Sequence, residues 1–272
     1  KVTHKCLFIN LINFFNHQLC DIIYFMETNL NCDLGEKSIH HSGENDEQLM
    51  QLINTANVAC GFHAGDEDTM LKSIELSKKY KVNIGAHPGF ADKKNFGRKK
   101  IYLEKNEVKK LIIDQILILS NMAEKNGVKL THVKPHGALN NMACKNYELS
   151  LTIAETIKEF SKDLIYLILP LTEMEKAAEK INIKYACEIF ADRNYDDNGL
   201  LISRNMENAL VTDSSIATKN VLRMLQDRSI YCYSGKKIPC KIDSICVHGD
   251  GINSVEIVTQ LKNYLENEGF VF

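Results

Sequence analysis

Four histidines occupy matching places in the sequence, each near the end of a short apolar run and each followed by a glycine within two positions. They are His63, His87, His136 and His248. An apolar run that gives way to glycine is typical of a buried β-strand that ends in a loop. Imidazole can serve near neutral pH as a general base, a proton donor or a metal ligand. One such histidine is more often structural, but four at equivalent positions favour a shared active site.

Charged side chains accompany these histidines at the predicted strand ends. Three kinds of chemistry fit the combination: hydrolysis by a histidine that an aspartate orients, binding of a divalent metal, and recognition of phosphate. For a metal, the candidate ligands are Asp33, His63 and His136, although ligands from different strands leave no local spacing signature. For an anion, the candidates are Lys134 and Arg193. The charged set as a whole is Asp33, Glu36, Lys134, Asp192, Arg193 and Asp250.

The chain alternates short apolar runs with amphipathic stretches, which predicts strands that alternate with helices. Strands are predicted within residues 29–36, 57–66, 82–89, 130–137, 164–170, 185–193 and 244–251. Helices are predicted within residues 46–54, 67–80, 104–126, 146–160, 171–181, 214–226 and 252–267. This succession predicts an α/β fold, a TIM-like (β/α) barrel of about seven parallel strands. An open doubly wound sheet is the alternative, but its G-x-G-x-x-G signature is missing.

A barrel brings the carboxyl ends of its strands together at one mouth, where barrel enzymes carry their chemistry. Two long irregular segments are predicted there, residues 90–100, which contain Arg98, and residues 194–213. Loops of this length in a compact domain are usually functional. The pattern therefore predicts a substrate cleft bordered by strand ends and by these two loops.

The composition narrows the class of partner. Lysine and arginine (33) nearly balance aspartate and glutamate (35), so nothing calls for a nucleic acid or an anionic membrane, and a small-molecule substrate is expected. No G-x-x-x-x-G-K-[ST] motif occurs, so the chain is not expected to bind ATP through a P-loop. Nine cysteines without a C-x-x-C pair argue against a disulfide framework and favour a reducing, cytoplasmic compartment.

Residues 1–25 stand apart from this pattern. They contain an apolar run that two asparagines interrupt, too short and too polar to span a bilayer. Met26 lies just before the first motif. We therefore expect residues 1–25 to be an extension of unknown role and residues 26–272 to form a single barrel domain.

Six motifs resemble those of the 5-oxoprolinase A-subunit family, also called LamB/YcsF, in the same order and spacing over roughly residues 27–272. They are NLNCDLGE (29–36), NVACGFHAGD (57–66), IGAHPGF (84–90) with NFGR (95–98), VKPHGAL (133–139), FADR (190–193) and VHGD (247–250). The resemblance implies a barrel related to the glycoside hydrolase/deacetylase superfamily. It also implies ATP-dependent opening of the 5-oxoproline lactam to L-glutamate, with partner subunits B and C using the ATP.

The residues and the resemblance together suggest roles for individual side chains. One of three histidines would be the general base, with aspartates to orient it, and this catalytic set is Asp33, His63, His136, His248 and Asp250. The substrate-binding set is Asn31, Glu36, His87, Arg98, Lys134, Asp192 and Arg193. A divalent metal is possible, so a metal-dependent carbohydrate deacetylase is an alternative function, and a non-catalytic substrate-binding subunit is another.

The chain departs from the family's pattern at the predicted rim of the cleft. Lys37-Ser38-Ile39-His40-His41 follows the first Gly-Glu, where the family commonly has Phe-Gly. Asn140 stands where the family commonly has tyrosine, and Asn208 where it has glycine. The cleft motifs themselves are intact, so the departures bear on substrate preference and partner docking rather than on the reaction class.

Overall fold

The computed structural model describes residues 29–39 and 41–270. Its main sheet contains β1 (Asn29–Leu34), β2 (Thr55–Ala59), β3 (Asn83–His87), β4 (Leu130–Val133), β5 (Ile165–Ile168), β6 (Tyr185–Phe190) and β9 (Ser244–His248). These strands are parallel and close into a barrel, because β9 pairs with both β6 and β1. The predicted seven-stranded parallel barrel is confirmed.

Helices surround the barrel within the described residues. They are α1 (Asp46–Met50), α2 (Glu67–Tyr80), α3 (Lys105–Lys125), α4 (Gly137–Ala143), α5 (Tyr147–Phe160), α6 (Glu173–Ile181), α7 (Ser214–Asp227) and α8 (Ser254–Asn267). Several begin at caps that the sequence supplies. Asp66, for example, accepts a hydrogen bond from the Thr69 backbone N–H at 2.9 Å and closes a capping box before α2. No helix in the described residues has the length and apolar character needed to cross a bilayer.

Successive residues of a barrel strand lie in two different environments, as β1 shows. In β1, Leu30, Cys32 and Leu34 belong to the apolar core that lies between the barrel and its helices. Asn31 and Asp33, between them in sequence, form hydrogen bonds inside the barrel. The strand's period of two therefore delivers polar side chains to the interior and apolar ones to the helices.

The barrel interior is a hydrogen-bonded polar layer instead of the aliphatic packing that is usual in such barrels. The Asn57 side chain donates to Asn31 Oδ1 and to Asp33 Oδ1, both at 2.8 Å, and its own oxygen lies 2.8 Å from His132 Nε2. Gly85 makes room for His132, because a Cβ at that position would lie 2.3 Å from the imidazole ring. This layer supports the side chains at the mouth from below.

Several local features differ from the sequence-based predictions. The helix α4 follows His136 directly, where none was predicted. In a stretch where no strand was predicted, β7 (Ser229–Tyr231) and β8 (Lys237–Pro239) form an antiparallel hairpin outside the barrel. Residues 194–213 are irregular as predicted, apart from isolated β-bridges. The predicted extension, residues 1–25, lies outside the described residues, and the division of the chain at residue 26 stays a prediction.

Candidate active site

A cavity of about 710 Å³ lies at the carboxyl ends of the barrel strands. Asp33 of β1, His87 of β3, Lys134 after β4 and His248 of β9 line it, together with residues of the two long loops. Its volume suits a small molecule. This is the mouth at which the sequence predicts the chemistry.

Four buried side chains meet beside this cavity: Glu36, His63, His87 and His136. We call them the buried histidine cluster. Glu36 Oε1 lies 3.1 Å from His63 Nε2 and 3.0 Å from His136 Nδ1. His136 Nδ1 is also 3.0 Å from His87 Nε2, and the rings of His63 and His136 stack at 3.8 Å. One possible ligand atom from each residue lies within 4.8 Å of the others.

Backbone carbonyls fix the tautomers of two of these histidines. His87 Nδ1 lies 2.7 Å from the Lys134 carbonyl, and His136 Nε2 lies 2.8 Å from the Phe96 carbonyl. A carbonyl only accepts, so both of these nitrogens carry the hydrogen. In the neutral rings, His87 Nε2 and His136 Nδ1 then present lone pairs to one another and to the Glu36 carboxylate. A proton or a cation is needed to offset that repulsion.

The protonation of the cluster follows from burial and from its carboxylates. Burial lowers the pKa of His63 to about 3, with a further contribution from His136. Burial would also lower the pKa of His87, but the Asp33 carboxylate 3.4 Å away raises it above its usual value. Burial would raise the pKa of Glu36, but His136 and His63 hold it well below its usual range. The cluster therefore combines an ionised carboxylate with a neutral His63 and with a His87 whose protonated form is favoured.

This donor set fits a divalent metal. Imidazole nitrogens with a carboxylate oxygen are the ligands of many catalytic metal sites, and the distal nitrogens of metal-bound histidines are usually hydrogen-bonded, as those of His87 and His136 are here. The group contains His63 and His136 of the ligand set predicted from sequence, but it has Glu36 in place of Asp33 and adds His87. Asp33 is instead occupied by hydrogen bonds from Lys134 and Asn57.

The loop after β3 packs closely against the buried histidine cluster. Gly97 has a positive φ of 61°, and a Cβ there would lie 2.7 Å from His63 Cβ and 2.9 Å from His136 Cδ2. The neighbouring Phe96 supplies the carbonyl that holds His136 and packs its ring edge-on against both imidazoles. The loop therefore fixes the orientation of the histidines as well as covering them.

Lys134 is held below the cavity by buried acidic groups. Its Nζ lies 2.9 Å from Asp33 Oδ1, 3.1 Å from Glu188 Oε2 and 3.0 Å from Cys246 Sγ. Burial would lower the pKa of Lys134, but Asp33 and its other acidic neighbours raise it well above its usual value. Burial raises the pKa of Glu188, and Lys134 offsets only part of that rise. Lys134 thus places a positive charge at the floor of the cavity.

A histidine–aspartate pair forms the opposite wall. His248 Nδ1 lies 2.9 Å from Asp192 Oδ2 and 3.0 Å from Oδ1, and the Phe190 ring stacks on the imidazole at 5.1 Å. Burial would raise the pKa of Asp192, but His248 holds it below its usual value. The ionised carboxylate fixes the hydrogen on Nδ1, which leaves Nε2 with a lone pair in a side chain that lines the cavity. This arrangement suits a general base.

The remaining predicted residues lie in different surroundings. Asp250 forms an ion pair with Arg98 and does not orient a histidine. Arg193 donates to the carbonyls of Ala209, at 3.2 Å, and Ile202, at 2.5 Å, so it ties the long loop to the barrel. Asn31 is fully buried within the interior layer. The roles predicted for these residues in catalysis or substrate binding stay predictions.

Sequence reasoning missed Glu188 and Arg204. Glu188 lies inside β6 and not at its end, so it carries no strand-end signal. A glutamate two residues before Phe190 in an otherwise apolar strand is the feature that could have indicated an inward-facing charge. Arg204 stands out in the sequence only as part of a long loop, and its approach to Asp250 depends on how residues 194–213 fold back over the mouth.

Comparisons with known proteins agree with one another. Residues 28–272 match the LamB/YcsF family. The chain is 43% identical over 244 residues to the A subunit of 5-oxoprolinase from Staphylococcus epidermidis, covering 90% of this chain and 97% of that protein. It is 43% identical over 242 residues to the corresponding 5-oxoprolinase subunit from Clostridium beijerinckii, covering 89% and 95%.

Solved structures give the same picture. The lactam utilization protein from Thermus thermophilus superposes with a TM-score of 0.83 at 34% identity, covering 90% of this chain and 98% of that one. A cellobiose-phosphate cleavage protein from Enterococcus faecalis superposes with a TM-score of 0.53 at 12% identity, covering 90% and 96%. The second likeness concerns the fold alone.

Proposed function

Because the chain belongs to the LamB/YcsF family, we propose that it opens the lactam of 5-oxoproline to L-glutamate as one subunit of an ATP-dependent enzyme. The observation that carries this proposal is the 43% identity to the A subunit of a 5-oxoprolinase over 97% of that protein's length. The site geometry supports it. A cavity of small-molecule size combines an oriented histidine, a buried cation and a histidine–carboxylate cluster.

The chemistry explains why ATP is needed. A lactam is a poor electrophile, and phosphorylation of its oxygen by ATP would make the carbonyl carbon reactive. Water then adds to that carbon, the ring C–N bond breaks, and the nitrogen takes up a proton to become the amino group of glutamate. Release of the phosphoryl group as inorganic phosphate consumes a second water. The chain has no P-loop motif, so partner subunits B and C would bind the ATP.

Residues on the two walls of the cavity have distinct roles in this proposal. His248, oriented by Asp192, takes the proton from the attacking water and delivers a proton to the leaving nitrogen. Lys134 places a positive charge at the floor of the cavity, where its field favours the anionic oxygens of the phosphorylated lactam. Glu36, His63, His87 and His136 would hold a divalent cation, which, when bound, polarises a carbonyl or lowers the pKa of a water.

Reconstitution tests the proposal. Purified chain, 5-oxoproline and ATP are combined with partner subunits from a related bacterium, and glutamate is measured with each component omitted in turn. We expect glutamate only in the complete mixture. A stable complex of all the subunits that forms no glutamate would reject the proposal.

A second candidate function has its own observation. The buried histidine cluster has the donor set of a metal-dependent hydrolase, so a carbohydrate deacetylase remains the alternative. Stoichiometric metal in the purified protein, together with chelator-sensitive release of acetate from N-acetylated sugars, would favour it. Absence of acetate release by the metal-loaded protein would reject it.

A further inference from the structure

Among the side chains that line the cavity, positive charges outnumber negative ones. Six lysine or arginine side chains line the cavity in the described residues, against the aspartates Asp33 and Asp196. Two of the six, Lys134 and Arg193, are buried and bonded to internal groups. The four that remain nearer the surface are Arg98, Lys100, Lys145 and Arg204. A cleft lined by one sign of charge concentrates ligands of the opposite sign.

Arg98 and Arg204 reach the mouth from different loops and meet at one carboxylate. Arg98 Nη2 donates to Asp250 Oδ2. Arg204 Nη2 lies 3.8 Å from Asp250 Oδ1, which is too far for a hydrogen bond. Asp250 Oδ1 is buried and has no hydrogen-bond partner in the described residues. The guanidinium of Arg204 therefore pairs with Asp250 through charge and not through a hydrogen bond.

Both arginines offer N–H groups to a ligand. The Arg98 guanidinium lies 4.6 Å from the centre of the Phe96 ring, which fixes its position while its edges stay accessible. The exposed fractions of the two side chains are 35% for Arg98 and 27% for Arg204. Within the described part of the chain, Arg98 has one side-chain acceptor, Asp250, and Arg204 has no acceptor at hydrogen-bond distance, although the Asp192 carboxylate also interacts with its charge. The planar fork of a guanidinium matches the paired oxygens of a carboxylate or a phosphoryl group.

We propose that Arg98 and Arg204 form an anion subsite at the mouth of the barrel, with Asp250 as the counter-ion that a substrate anion displaces. The ligand class is a carboxylate or a phosphoryl group. The assignment of that anion to the substrate rests on the proposed function, because 5-oxoproline carries a carboxylate and its activated form a phosphoryl group. This subsite replaces Lys134 and Arg193 as the main anion contact, since the cationic groups of both are already bonded to internal acceptors.

If the subsite is correct, substitution of Asp250 and substitution of either arginine change the affinity for the anion in opposite directions. Removing either guanidinium removes donors to the anion, so affinity falls. Replacing Asp250 with asparagine removes a competing negative charge while keeping an oxygen for Arg98, so affinity rises. A clamp that merely joined the two loops would weaken in all three variants. The sign of the Asp250→Asn effect therefore separates a binding role from a structural one.

Isothermal titration calorimetry of the isolated chain tests this inference, with inorganic phosphate and 5-oxoproline as separate probes at low ionic strength. We expect Arg98→Gln and Arg204→Gln each to weaken binding by about tenfold, the effect of one charge-assisted hydrogen bond. Asp250→Asn should tighten binding by about threefold. Lys99→Gln is the control, because Lys99 is exposed, adjacent to Arg98 and not among the residues that line the cavity.

The outcomes separate the possibilities. Arginine-dependent binding of phosphate alone places a phosphoryl group at the subsite, and arginine-dependent binding of 5-oxoproline alone places the carboxylate there. Unchanged affinity in both arginine variants, weaker binding in Asp250→Asn, or no binding of either probe to the wild type overturns the subsite. Thermal melts check that each variant is folded. Arg204→Lys is a second, milder variant, which keeps the charge but loses the planar fork.

The test is independent of the proposed function. Arginine-dependent binding in a chain that forms no glutamate with its partners would reject the proposed function and keep the subsite. Glutamate formation with unchanged anion affinity in the arginine variants would reject the subsite alone.

Discussion

The two walls of the barrel mouth are built in different ways. On one wall, the buried histidine cluster is fixed by backbone carbonyls and by a glycine loop that leaves no spare room. On the other wall, His248 is held by the Asp192 carboxylate, and the two arginines at the mouth pair with the Asp250 carboxylate; all three side chains are partly exposed. Contacts to backbone are hard to rearrange, whereas ion pairs near solvent exchange partners readily. The first wall is suited to holding a charge in place, and the second to admitting a substrate and moving protons.

The largest expected effect is a loss of folding stability in acid. It arises from buried histidines on the first wall and in the barrel interior below it. Burial lowers the pKa of His63 and of His132 to about 3, whereas an unfolded histidine titrates near 6.5. Between these values the unfolded chain binds more protons, so stability falls as pH falls. We expect each histidine to remove roughly 2 kcal/mol from the free energy of unfolding between about pH 6 and pH 4.

Urea denaturation at several pH values measures this loss. His132→Asn should flatten the pH dependence of the unfolding free energy, whatever it costs at neutral pH. His87 acts in the opposite sense, because Asp33 raises its pKa despite burial. The same pH dependence in wild type and His132→Asn would contradict the account.

A second prediction concerns the glycine loop on the buried wall. Gly97→Ala places a Cβ at a left-handed φ and 2.7 Å from His63 Cβ. We expect a loss of about 2 to 4 kcal/mol in unfolding free energy, from backbone strain together with overpacking. Gly235→Ala is the matched control, since its φ is 92° but no atom lies within 4 Å of the added Cβ. Equal losses in the two variants would show that the cluster does not press on the loop.

The third prediction concerns the exposed wall. Asp192→Asn removes the carboxylate that fixes the orientation and the tautomer of the His248 ring. We expect kcat for glutamate formation to fall about 100-fold, with KM changed by less than about threefold, since the pair acts on proton transfer. Asp114→Asn, a helix-surface variant, serves as the control, and a wild-type kcat in Asp192→Asn would exclude His248 as the base.

The smallest expected effect comes from the rim. Lys100 lines the cavity and is exposed, so it contributes to the field at the mouth more than to any fixed contact. Lys100→Gln should raise KM by about twofold at low ionic strength, and the difference should vanish at high salt because exposed charges are screened. A salt-independent change in KM would mean that Lys100 touches the substrate directly.

The sequence is a good guide to the barrel because each unit repeats the same local signal. An apolar run, a glycine or histidine, a polar loop and an amphipathic helix recur along the chain, and parallel closure follows from that order. The same signal places His63, His87, His136 and His248 at strand ends. These predictions therefore depend only on the sequence within each strand–loop–helix unit.

Contacts between side chains at the ends of different strands cannot be predicted from the sequence of one strand and its loop. Asp250, one of the predicted orienting carboxylates, lies two residues from His248 in sequence. The carboxylate that bonds to His248 is instead that of Asp192, because β6 and β9 are neighbours in the closed barrel. Glu36 joins the histidines because the chain turns after β1 and brings its carboxylate back over the strand ends. Such contacts depend on barrel closure and loop direction, which no single stretch of sequence encodes.

The most direct test of the central claim uses the reconstituted mixture with a matched pair of histidine variants. Glutamate formation from 5-oxoproline and ATP is measured for wild type, for His136→Gln in the buried cluster, and for His41→Gln, which lies outside the lining of the cavity. We expect His41→Gln to match wild type and His136→Gln to lose at least about 100-fold. Wild-type turnover by a folded His136→Gln variant would contradict the assignment of the lactam-opening site to this barrel mouth.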